Sequence, residues 1–119
     1  MNVFFRAFIL FFLSYSITQS HEKKFSFGVR VGNISNKIVN ELNLDNKNGA
    51  IILNLLDQSA ARASGLIIGD IIFKIDHKDI KNYTDVIDYI GNYEGAGKIL
   101  VTFLRGKNLM QLYVILREK

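Results

Sequence analysis

Apolar and polar positions along the chain predict a series of short strands. Residues 27–31 alternate with period two and place Phe27, Val29 and Val31 on one face of a strand. Residues 50–56 form a continuous apolar run of strand length, which predicts a central strand covered on both faces. Further strands are predicted at residues 71–75, around Ile80, at residues 99–104 and at residues 109–116.

Two short helical segments flank the central apolar run. Ser35 is predicted to cap a helix whose inner apolar stripe starts at Ile38. Residues 60–64 predict a helical turn, and Gly65 supplies the left-handed conformation that ends it. Asp70 lies in the turn before the next strand, where its carboxylate is expected to accept hydrogen bonds from backbone N–H groups.

A longer amphipathic helix is predicted over residues 83–92. Asn82 is its expected N-cap, and Asp85 follows three residues later, which is the spacing of a capping box. The apolar residues of this helix recur at i, i+3, i+4 and i+7, namely Tyr83, Val86, Ile87 and Ile90. The order of elements predicts the α+β class: a small, partly open antiparallel β-barrel or sandwich with two helices besides the short helical turn.

Residues 1–20 differ from the rest of the chain. They begin with a basic segment containing Arg6, continue with a short apolar stretch and end in small polar residues. This pattern is typical of a secretory signal peptide cleaved before His21, with residues 21–119 as the exported, periplasmic domain. The alternative is an uncleaved anchor in the inner membrane formed by residues 3–17, although a spanning helix needs about 20 apolar residues.

The composition argues against several kinds of catalytic and binding site. The 119 residues fit one domain and include no cysteine, which excludes disulfides, thiol catalysis and cysteine metal sites. The two histidines, His21 and His77, lie far apart and form no metal-ligand or triad pattern. The net charge of +4 comes from interspersed charges of both signs rather than from a basic face. We therefore expect no cofactor, no nucleic-acid partner and no catalysis by this chain.

Several motifs in order resemble the PDZ domains of HtrA-type bacterial periplasmic serine proteases. The resemblance covers essentially everything after residue 24. It departs from the family pattern at turns, with Ala60 in place of a proline and Asp76-His77 in place of Asn-Gly. The features that carry it are Phe27-Gly28-Val29, Gly49-Ala50, the segment from Ser59 through Gly65-Leu66 to Gly69-Asp70-Ile71-Ile72, the last helix and the closing hairpin.

The resemblance implies a groove for the C-terminal peptides of other proteins. Such a peptide adds a strand to an exposed sheet edge, here residues 28–31, facing the helix at residues 83–90. Its carboxylate is expected in the loop at residues 25–28, assisted by Lys24, and its apolar last side chain in a pocket beside the helix. The candidate peptide-binding residues are Lys24, Phe25, Ser26, Phe27, Gly28, Val29, Arg30, Val31, Tyr83, Val86, Ile87 and Ile90.

Gly28 is the expected test position in this site. Its missing side chain lets the peptide backbone approach the loop closely. Because the position lies on a sheet edge, Gly28→Val is expected to abolish binding and to leave the fold largely intact.

We consider three alternative functions for this chain. The first is a stand-alone exported PDZ module that binds the C-terminal tails of envelope proteins as an adaptor or regulator. The second is the detached regulatory domain of an HtrA-type serine protease, and the third is a membrane-anchored component of a secretion machine. A periplasmic protease or a secretion component is accordingly a further candidate partner.

Overall fold

The computed structural model describes residues 24–119, so the predicted signal peptide or anchor lies outside the described residues. The strands are β1 (Phe25–Ser26), β2 (Val29–Asn33), β3 (Ala50–Leu55), β4 (Ile71–Ile75), β5 (Lys78–Asp79), β6 (Lys98–Arg105), β7 (Asn108–Ile115) and β8 (Arg117–Glu118). The helices are α1 (Asn36–Leu42), α2 (Ala60–Ser64) and α3 (Tyr83–Gly91). The α+β class is confirmed, and the predicted turn before Gly65 is a third helix of the described segment.

All strand pairs are antiparallel, and the described strands form two sheets. The larger sheet has the order β2-β3-β4-β6-β7, with β5 paired to β4, and the smaller one pairs β1 with β8. The sheets do not close into a barrel. Within residues 24–119, β2 pairs with β3 alone, so its other edge offers backbone N–H and C=O groups for a further strand.

The helix ends follow the predicted capping chemistry. The Ser35 hydroxyl accepts the N–H of Ile38 (3.3 Å) at the start of α1, and Gly65 ends α2 with φ +103°, both as predicted. The Ser59 hydroxyl, which was not predicted as a cap, accepts the N–H of Arg62 (3.1 Å) at the start of α2. At the start of α3, Asn82 Oδ1 accepts the N–H of Asp85 (3.1 Å). The carboxylate of Asp85 accepts the N–H of Lys81 (2.8 Å), one residue before the position that a capping box uses.

The core lies between the larger sheet, α2 and α3, and β3 is covered on one face only. Ile52 is fully buried, whereas Leu53 is 46% exposed. The prediction that both faces of this strand are covered is therefore wrong. Arg30 of β2 pairs with Asn54 of β3, and the next residue, Val31, pairs with Ile52. Leu53 therefore has no partner in β2 and is an extra residue in β3. An antiparallel sheet can leave one face in water, and apolar composition alone does not indicate which face.

An ion pair between a buried acid and a partly exposed base joins the start of β4 to the end of β6. Asp70 is 1% exposed and accepts the N–H of Ile67 (2.9 Å), as the turn predicted. Arg105 also donates to both carboxylate oxygens of Asp70, with Nε–Oδ1 and Nη2–Oδ2 distances of 2.9 Å. The hydrogen bonds that Arg105 donates to Asp70 raise the pKa of the Arg105 guanidinium, which stays charged.

Candidate functional site

A groove of about 330 Å³ lies between β2 and α3. Its apolar floor and walls come from both elements, from the loop before β2 and from the residue after β3. Nine of the predicted peptide-binding residues line it, while Lys24, Arg30 and Tyr83 do not. The lining residues are Phe25, Ser26, Phe27, Gly28, Val29, Val31, Leu56, Val86, Ile87, Ile90, Gly91 and Lys119.

One end of the groove is formed by the loop from β1 to β2. The carbonyl of Phe27 accepts the N–H of Ala61 (3.0 Å), and the carbonyl of Gly28 accepts the N–H of Leu56 (3.0 Å). Within residues 24–119, the N–H groups of Phe27 and Gly28 donate to no other group. Two successive unpaired N–H groups at the end of an apolar groove suit an anion such as a carboxylate.

Gly28 is required by the fold as well as by the groove. Its φ is +80°, and a Cβ built on it would lie 2.2 Å from the Cβ of Ser59. The expectation that Gly28→Val leaves the fold intact is therefore wrong. A side chain here meets both an unfavourable backbone conformation and the N-cap of α2, because the loop packs directly on that helix.

The apolar stripe of α3 divides between the core and the groove. Val86 is 2% exposed and belongs to the core, whereas Ile87 is 56% exposed at the rim of the groove. Ile90 is half-buried and packs against the core. Tyr83 lies outside the groove lining, and its N–H donates to Asn33 Oδ1 (3.0 Å), which ties α3 to the end of β2.

The family model for the PDZ domain matches residues 26–116, which takes in the loop, both groove walls and the closing hairpin. The chain belongs to the PDZ domain family.

The relatives of this PDZ domain include proteases. Protease Do-like 8, chloroplastic, of Arabidopsis thaliana is 27% identical over 103 residues, which cover 77% of this chain and 22% of the relative. Serine endoprotease DegS of Haemophilus influenzae is 26% identical over 81 residues, which cover 68% of this chain and 24% of the relative. The chain thus spans less than a quarter of the length of either protease.

Solved structures share the fold. The HtrA3 PDZ domain bound to a phage-derived ligand, FGRWV, matches with a TM-score of 0.67 at 17% identity and covers 82% of this chain and 89% of the other. The HtrA-type protease AlgW with a tripeptide matches with a TM-score of 0.73 at 21% identity and covers 90% of this chain and 36% of the other. Both likenesses support the PDZ fold derived from the sequence.

The lining of the groove of this PDZ domain includes one basic residue, Lys119. Lys119 lines it because its N–H donates to the carbonyl of Lys24 (2.9 Å), next to the pairing of β8 with β1. None of the lining residues is Asp or Glu. Lys119, Leu56 and Gly91 were missed by the sequence reasoning. Lys119 depends on a pairing of distant segments, Leu56 was assigned to a covered strand, and Gly91 lies outside the apolar stripe of α3.

On the opposite side of α3, acidic residues outnumber basic ones. A cavity of about 980 Å³ lies there, with Asp85, Asp88 and Glu94 among its lining residues. Tyr89 also lines it and donates its hydroxyl to the carboxylate of Asp76. Burial, followed by this hydrogen bond, raises the pKa of Tyr89 to about 12.

Two further features are absent from the described part of the chain. Among residues 24–119, no group of three or more His, Asp or Glu side chains is arranged to hold a metal ion. No helix between Lys24 and Lys119 has the length and hydropathy needed to cross a membrane.

Proposed function

We propose that this chain is an exported PDZ module that binds the C-terminal tails of envelope proteins by strand addition, as an adaptor or regulator. Residues 1–20 serve as its cleaved signal peptide and residues 21–119 as the binding domain, located in the periplasm. The activity assigned to this module is binding rather than catalysis. The observation that carries the proposal is the unpaired edge of β2, which ends at the free N–H groups of Phe27 and Gly28.

The proposed mechanism is an extended peptide running antiparallel to β2. Its backbone pairs with the free strand edge, and its terminal carboxylate accepts the two loop N–H groups. Its apolar last side chain enters the groove between Phe27 and Val29 on one side and Val86 and Ile90 on the other. The peptide ligands of the HtrA3 and AlgW structures support this mode, and the HtrA3 ligand FGRWV ends in valine.

A regulatory domain of an HtrA-type serine protease is the second candidate. This candidate is favoured by the two protease relatives, in which the matched segment makes up 22% and 24% of the protein. Amino-terminal sequencing of the protein from an envelope fraction bears on localisation, and we expect it to begin near His21. A sequence beginning at Met1 in detergent extracts would instead support the anchored secretion component.

The role of the carboxylate is tested with one peptide in two forms. Calorimetry should give about micromolar affinity for a hexapeptide with a free C-terminal valine, the equivalent of roughly 8 kcal/mol. Amidation of the same peptide should weaken binding by at least ~1.5 kcal/mol, because the loop N–H groups then lose a charged acceptor. Equal affinities for the two forms would refute carboxylate recognition.

The groove itself is tested by a matched pair of substitutions. Ile87 and Ile68 are 56% and 59% exposed, but only Ile87 lines the groove. Ile87→Lys should weaken binding of the free peptide by about 1 kcal/mol or more, whereas Ile68→Lys should leave it unchanged. Both variants should keep the parent's unfolding free energy within about 0.5 kcal/mol, because both sites are at the surface. Equal effects on binding would mean that this face of α3 is not used.

A further inference from the structure

Arg30 is the second residue of the edge strand β2 and carries a positive charge. Its side chain is exposed, while those of its neighbours Val29 and Val31 are half-buried and line the groove. Within residues 24–119, the guanidinium makes no hydrogen bond or ion pair. Neither β2 nor β3 contains an acidic residue that would neutralise it. Arg30 therefore presents an unpaired positive charge on the outer face of the strand.

The register of an added strand determines which ligand residue meets this charge. If the carboxylate lies at the N–H groups of Phe27 and Gly28, the last ligand residue lies opposite the next residue, Val29, with its side chain on the groove face. Antiparallel pairing then puts the penultimate residue directly opposite Arg30, on the outer face. The register shift in this part of the sheet adds Leu53 to β3, so β2 itself has no extra residue that would disturb the count.

The same register leaves the next outer-face position without a charged partner. The fourth residue from the end of the ligand lies opposite Gly32, which has no side chain. A Cβ built on Gly32 would lie 2.9 Å from Leu53 Cδ1, so an apolar side chain covers this position. A charge on the ligand is therefore expected to matter at the penultimate position and not two residues earlier.

We infer that the groove prefers C-terminal peptides with an acidic penultimate residue, and that Arg30 determines this preference. The inference rests on the proposed function, since it needs a peptide added to β2. Directly opposite side chains of unlike charge stabilise an antiparallel pair, and like charges destabilise it. The acid-free lining of the groove, with Lys119 at its carboxylate end, favours the same class of ligand. The partner class is thus a protein tail ending in Asp or Glu followed by an apolar residue.

The test compares four hexapeptides with a free C-terminal valine on the purified protein at low salt. Three carry Asp, Ala or Lys at the penultimate position, and the fourth carries Asp at the fourth position from the end. The penultimate Asp peptide should bind roughly threefold more tightly than the Ala peptide, and the Lys peptide roughly threefold more weakly, as expected for an exposed charge pair. The displaced Asp should bind like Ala.

Substitutions at Arg30 identify the residue responsible. Arg30→Gln should reduce the roughly tenfold range between the Asp and Lys peptides to less than twofold, and Arg30→Glu should invert their order. Lys107, in the exposed turn between β6 and β7, provides the control, and Lys107→Gln should keep the full range. A range that survives Arg30→Gln, or equal affinities for all four peptides, would overturn the inference.

The amidated form of the Asp peptide distinguishes failure of the inference about Arg30 from failure of the proposed function. Weaker binding after amidation, together with equal affinities for the four free peptides, would refute the role of Arg30 and leave carboxylate recognition standing. No binding by any free peptide, or no effect of amidation, would refute the proposed function and the inference with it.

Discussion

The two walls of the groove are held in place by different kinds of contact. The loop wall, residues 25–28 with β2, has Phe25 and Phe27 buried in the core, and two of its carbonyls accept the N–H groups of Leu56 and of Ala61 in α2. The helix wall, α3, has a single fully buried residue, Val86. Tyr89 and Ile90 are only partly buried against the core, and two hydrogen bonds add to this packing: the N–H of Tyr83 donates to Asn33, and the Tyr89 hydroxyl donates to Asp76.

This difference assigns different roles to the two walls. The position of the loop N–H groups follows from the packing of the core, so the carboxylate end is fixed once the chain has folded. The helix wall has fewer buried contacts and can shift with less loss of packing. Surface residues such as Ile87 and Arg30 can change without affecting the core. The fold therefore determines that a terminal carboxylate is bound. Replaceable surface side chains determine which C-terminal sequences are preferred.

Gly28→Ala, in the loop wall, should have the largest effect on the stability of the protein. The left-handed φ and the contact with Ser59 together should lower the free energy of unfolding by roughly 3 kcal/mol. Urea denaturation measures this loss, and calorimetry should show peptide binding falling with it.

Gly69→Ala is the control for the contact with Ser59. Gly69 has φ +97°, and a Cβ added there would meet no other atom within 4 Å, so the backbone cost alone should remain, about 1–2 kcal/mol. Equal losses for the two variants would show that close packing does not hold the loop wall.

The next effect is on the helix wall, from Val86→Ala. Loss of two buried methyl groups and the cavity left behind should lower the free energy of unfolding by about 2 kcal/mol. Ile87→Ala, one residue along the same helix, should cost less than about 0.5 kcal/mol because that side chain is mostly exposed. Urea denaturation of both variants tests whether α3 depends on one buried residue, and similar losses would contradict this.

Local sequence signals predicted most of the fold. The N-caps of α1 and α3, the glycine end of α2 and the closing hairpin each depend on residues close together in the chain. The hairpin turn is Gly106-Lys107, with the positive φ at Gly106 that two-residue turns favour. The order of these elements, together with the PDZ resemblance, also located the groove between β2 and α3.

The remaining features depend on contacts between distant segments. Arg105 meets Asp70 across 35 positions, and Lys119 reaches the groove only through the pairing of β8 with β1. The periodicity of α3 identified its apolar residues but did not divide them into core and groove, because both surfaces lie on the same side of the helix. Likewise, nothing in the sequence near Gly28 indicated that Ser59 packs against it.

The smallest expected effect is on the far side of the helix wall, from Tyr89→Phe. Loss of the hydroxyl bonded to Asp76 should cost about 1 kcal/mol near neutral pH. The pKa of Tyr89 is raised to about 12 in the folded protein, while an unfolded tyrosine titrates near 10. A raised folded-state pKa stabilises the protein below the unfolded value, and this contribution is lost as the pH rises from 10 to 12. The parent should therefore lose more stability across that window than Tyr89→Phe, as measured by urea denaturation of both proteins. Parallel pH profiles would mean that the phenol is not held by Asp76.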